Sequence, residues 1–68
     1  MDLDWVDGFQ ISTSIDDATM RITANREGLV SLANILLGLA KERPGSHVHL
    51  DQHNSLEDGS CELVIERA

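Results

Sequence analysis

Apolar and polar residues alternate twice near the start of the chain. In GFQISTSI, Phe9, Ile11, Thr13 and Ile15 fall on one side and Gln10, Ser12 and Ser14 on the other, the period of two expected of a half-buried strand. Asp16, Asp17 and Ala18 read as a tight turn, because aspartate side chains bond readily to nearby backbone. TMRITA then alternates again, with Met20, Ile22 and Ala24 set inward against Thr19, Arg21 and Thr23. The two runs predict a hairpin.

The period then changes. Asn25 is a good helix N-cap, and Glu27 sits in the first turn, at the positive end of the helix dipole. Beyond it Leu29, Leu32, Ala33, Leu36, Leu39 and Ala40 form an apolar stripe at helical spacing, with Ser31, Ile35, Gly38 and Glu42 in a row on the other side. Pro44 and Gly45 stop the helix. HVHLD turns back to strand with Val48 and Leu50 inward, and CELVIER closes the chain with Leu63 and Ile65 inward. The pattern predicts strands at about 9–15, 19–24, 47–51 and 61–67 and a helix at about 26–43, all in one domain, 1–68. The fold class is α+β: strand-strand-helix-strand-strand, one antiparallel or mixed sheet with the helix packed on one face.

Composition narrows the function. A chain of 68 residues buries only ~60% of the surface its unfolded form exposes. With one Trp, one Phe and no Tyr, its core must be aliphatic. Twelve acidic against five basic residues give a net charge of −7. The five cations, Arg21, Arg26, Lys41, Arg43 and Arg67, are scattered. Nucleic acid is therefore not an expected partner, whereas a basic protein would be steered toward this surface. The single Cys61 makes no internal disulfide, which fits a reducing compartment. The start, MDLDWVDGF, lacks the basic region and apolar run of a secretion signal, and no segment reaches the length of a membrane span. A cytoplasmic location and no membrane partner are expected.

Candidate chemistry concentrates in the last third. If Val48 and Leu50 face the helix, strand parity sends His47, His49 and Asp51 to the open face. Gln10, Ser12, Ser14, Thr19, Arg21, Thr23, Glu62, Val64 and Glu66 would share it. Such a face is either simply solvated or a protein-binding surface. His47 and His49 at i, i+2 could both reach one metal ion, with Asp51, His53 or Cys61 as a third ligand. No second ligand pair such as CxxC accompanies them, so no cofactor is expected. A Cys61–His47 or Cys61–His53 pair lacks an oxyanion-hole turn and room for a substrate pocket, and the chain reads as a non-enzyme. The loop from Gln52 to Ser60 exceeds what a hairpin requires. It carries Glu57 and Asp58, and its Leu56 either tucks onto the domain or serves as an apolar anchor for a partner. The row Ser31, Ile35 and Gly38 offers a third arrangement, a homodimer.

ANREGLVSLANILLGLA followed by GSHVHLDQHNSLEDGSCELVIER resembles the immunity protein 32 family of bacterial polymorphic toxin systems. The likeness lies in Asn25 to Leu29, Leu32 and Ala33, His47, His49 to Asp51, Asn54 to Glu57, and Glu62 to Glu66. The resemblance implies a small antidote that binds a cognate toxin, and it brings no catalytic or metal residues. A basic, nuclease-like toxin would suit the charge. The expected contact set is His47, His49, Asp51, Asn54, Ser55, Leu56, Glu57 and Asp58, with Arg21, Glu62 and Glu66 beside them.

Overall fold

Two strand pairs flank one helix in the computed structural model, which describes residues 3–68. Strands β1 (Ile11–Asp16) and β2 (Thr19–Ala24), helix α1 (Arg26–Ala40), and strands β3 (His47–Leu50) and β4 (Leu63–Glu66) follow in order. The α+β class and the element order match the sequence reading. β1 and β2 pair antiparallel, with Ile11 opposite Ala24 and Asp16 opposite Thr19. Their two-residue turn places Asp17 and Ala18 at φ 51° and 65°, the left-handed pair that matches the twist of a hairpin.

The strands form two separate two-stranded sheets, where the pattern led us to expect one. The long loop after β3 is the reason. Along the edge of β1 away from β2, the Glu57 N–H donates to the Ile11 carbonyl at 2.8 Å and the Thr13 N–H to Ser60 Oγ at 3.1 Å. Thr13 Oγ1 donates to the Cys61 carbonyl. The loop thus satisfies the backbone groups that a neighbouring strand would otherwise take.

Asn25 caps α1 as expected. Its Oδ1 accepts from the Gly28 N–H at 2.7 Å and from the Gln10 N–H at 3.0 Å, while Nδ2 donates to the Gly8 carbonyl. At the other end the helix stops at Ala40, three residues short of the expected 43. There the Lys41 and Glu42 N–H groups bond to the Gly38 and Leu39 carbonyls, a tightening to i→i+3 spacing ahead of Pro44.

The helix is rotated roughly a quarter turn from the face its leucines predict. It buries Gly28, Ser31, Leu32, Ile35 and Leu39, and leaves Leu29, Leu36 and Leu37 half or more exposed, at 57%, 50% and 64%. Two contacts set this rotation. At Gly28 a Cβ would stand 2.5 Å from the Gln10 carbonyl oxygen and 2.9 Å from Ile11 Cγ1, so only a glycine admits this approach. One turn on, Ser31 Oγ accepts from the Val6 N–H and donates to the Glu27 carbonyl. Ser31 and Ile35 are therefore interior, so the row through them that offered an alternative dimer contact is not a surface row.

The core comprises Ile11, Leu32, Ile35, Leu39, Val48, Leu50 and Leu56. Trp5 and Phe9, stacked at 4.6 Å, pack against it together with Ala24 and Leu63. Among the described residues, no helix is long and apolar enough to cross a membrane.

Candidate functional site

Strand parity sets the exposed face of the second sheet. Val48 and Leu50 are buried, so His47 and His49 point outward. On β4 the register places Glu66 opposite His47 and Val64 opposite His49. The two imidazoles meet edge to face at 4.9 Å. His47 Nδ1 lies 3.0 Å from the Gly45 carbonyl, an acceptor, so that nitrogen carries a proton. His49 Nδ1 lies 3.2 Å from Glu62 Oε2, and both side chains are exposed. An exposed pair of this kind contributes ~0–1 kcal/mol, so it orients the two groups more than it stabilises the domain.

The loop beyond β3 is built by its own polar side chains. Asp51 Oδ1 accepts from the His53 and Asn54 N–H groups. Asn54 answers with Oδ1 accepting from the Asp51 N–H and Nδ2 donating to the His49 carbonyl. Ser55 Oγ donates to Asn54 Oδ1, and Gln52 Oε1 accepts from the Gly59 N–H. Leu56 tucks onto the domain as a core residue, 4% exposed. Asp51, Asn54 and Ser55 thus brace the loop and Leu56 anchors it in the core, while Gln52, His53, Asn54, Glu57, Asp58 and Gly59 are exposed, Glu57 and Asp58 carrying its displayed charge.

Of the expected contact set, the fold brings His47, His49, Glu62 and Glu66 onto one sheet face. Arg21 belongs to the other sheet. It lines, with Glu62, Met20, Ile22 and Leu63, a cavity of about 200 Å³ between the hairpin and the start of β4. Among the described residues His49–Glu62 is the one contact at salt-bridge distance between a basic and an acidic side chain. Glu57, Asp58 and Glu66 thus have no cationic partner there, and their charge faces solvent uncompensated.

Metal and nucleophile chemistry gain nothing from this geometry. Among the described residues no three His, Cys, Asp or Glu side chains converge on a common point. The half-buried Cys61 thiol lies 3.3 Å from Thr13 Oγ1, and the contacts of His47 and His53 lie elsewhere.

A family model described as immunity protein 32 matches residues 19–68. The chain belongs to that family. The match takes in β2, α1, both strands of the second sheet and the loop between them, and leaves β1 outside. No curated protein and no solved structure matches the chain.

Sequence reasoning missed one surface, the outer face of α1. The signal was present: from Gly28 to Ala40 the helix carries no charged residue and only Ser31 and Asn34 as polar side chains, so its apolar surface is wider than the one face a small domain covers.

Proposed function

We propose that this immunity protein neutralises a toxin domain by binding over its functional surface, without catalysis, in the cytoplasm of the cell that makes both. Membership of the immunity protein 32 family carries this reading. For the contact face we propose His47, His49, Glu62 and Glu66 on the second sheet, together with Glu57 and Asp58 at the rim of the loop.

Two features support that location. The carboxylates of Glu57, Asp58 and Glu66 are exposed and lack an ion-pair partner among the described residues, so they are free to meet a basic surface and speed encounter with it. The loop that presents Glu57 and Asp58 is held by six side-chain hydrogen bonds of Asp51, Gln52, Asn54 and Ser55. A partner then need not supply the entropy of ordering it. With a net charge of −7, the toxin this face fits is basic, and a nuclease groove is the chemistry it would occupy.

The test is growth of cells expressing the protein encoded beside this chain, with and without it. Rescue by the wild type, lost in a folded Glu57→Lys/Asp58→Lys variant, is expected. A toxic neighbour that kills equally in the presence of the wild-type chain would contradict the pairing.

A further inference from the structure

We propose that the outer face of α1 is a self-association surface, through which two copies of this chain pair by antiparallel packing of their helices. The helix emerges apolar on both sides. Its inner side is filled by the domain, and its outer side presents Leu29, Val30, Ala33, Leu36, Leu37 and Ala40 to solvent. Nine large hydrophobic side chains are exposed in the described chain against seven in the core, and four of the nine lie on this one helix face.

The arrangement of the face identifies its occupant. Ala33 and Ala40 are seven residues apart and fall on one line along the helix. Leu29 and Leu36 flank that line on one side, Val30 and Leu37 on the other. Small residues on the midline let a second backbone approach, and the flanking side chains then interlock with their symmetry mates. The pattern is self-complementary, as a two-fold interface requires, and antiparallel pairing also sets the two helix dipoles head to tail. The patch amounts to roughly 400 Å², the size of the largest apolar patch on an ordinary monomer, which is often functional. Two such patches bury roughly 800 Å², below the ~1,200 Å² at the lower end of stable interfaces, so the dimer is expected to be weak and to form toward the upper end of the concentration range.

A basic toxin is not the partner this face selects. Its central three turns carry no charge, and Arg26 and Lys41 stand at its two ends. The uncompensated carboxylates lie instead on the second sheet and its loop. The dimer surface is thus distinct from the proposed toxin face, and the failure of either leaves the other standing.

Sedimentation velocity from micromolar to millimolar concentration tests the proposal, with Leu36→Glu/Leu37→Glu as the disrupting variant and Met20→Glu/Ile22→Glu as the hairpin control. The wild type and the control are expected to dimerise. The helix variant is expected to stay monomeric with an unchanged circular dichroism spectrum. If that double variant unfolds, Ala33→Arg, an exposed substitution by a good helix former, is expected to weaken association at least tenfold. Because two chains of charge −7 repel, added salt is expected to tighten this dimer. A wild type that remains monomeric throughout, or a dimer that survives both helix variants, overturns the proposal.

Discussion

Gly28 at the start of the helix and Gln10 just before β1 approach so closely that a Cβ on Gly28 would stand 2.5 Å from the Gln10 carbonyl oxygen. The close atom is backbone, and Ile11 Cγ1 and Ala24 Cβ crowd the same point at 2.9 and 3.0 Å, so no flexible side-chain end can yield. On helix propensity alone, Gly28→Ala would stabilise by up to about 1 kcal/mol. The expected result is the opposite, a destabilisation of about 1–3 kcal/mol from overpacking, read as a lower urea midpoint with an unchanged slope.

The hairpin turn makes the converse prediction. Ala18 sits at φ 65°, a conformation that costs a residue with a Cβ about 1–2 kcal/mol. Ala18→Gly removes that strain but enlarges the unfolded ensemble. A net gain of about 0.5–1 kcal/mol in denaturant unfolding is expected.

Asn25 joins three segments through one side chain: the helix N-terminus at Gly28, the backbone of Gln10 and the carbonyl of Gly8. Asn25→Ala should cost about 1–2 kcal/mol. Asn25→Asp keeps the acceptor and adds a charge suited to a helix N-terminus, losing only the donor to Gly8. It is expected to retain most of the stability. Equal losses in the two variants, measured by thermal unfolding, would contradict this division of roles.

Thr13 holds the loop to β1. Thr13→Val keeps the shape but removes the hydroxyl that donates to the Cys61 carbonyl, a partly buried bond worth about 1 kcal/mol. The effect is expected to be local. Hydrogen exchange should accelerate at the Glu57 amide, which bonds to Ile11 alongside it, more than at amides within α1.

These contacts explain which parts of the fold were legible. Strand alternation located both hairpin strands but not their burial, since Ile15, Met20 and Ile22 on the expected inner side are exposed where the hairpin extends past the core. Asn25 marked the helix start, and the parity of Val48 and Leu50 put His47 and His49 outside. The helix rotation was not legible, because a helix with leucines on two sides has no single apolar stripe. Its orientation is decided by the close approach at Gly28 and by the bond from Val6 to Ser31, and neither leaves a periodic trace. The single sheet failed for a related reason. Thr13 and Ile11 bond to a loop rather than a strand, and loop-to-edge bonding has no sequence period. In the site, no sequence period showed that Asp51, Asn54 and Ser55 bond the loop together or that Leu56 packs into the core.

We propose that the acidic face of the second sheet and its loop binds the toxin. The most direct test is the association rate of the purified chain with its toxin as a function of ionic strength, for the wild type and for Glu57→Lys/Asp58→Lys/Glu66→Lys. The wild-type rate is expected to fall steeply with salt. The triple variant is expected to associate at least tenfold more slowly at low salt and with little salt dependence. A triple variant that binds as fast as the wild type, with the same salt dependence, would place the toxin on another face.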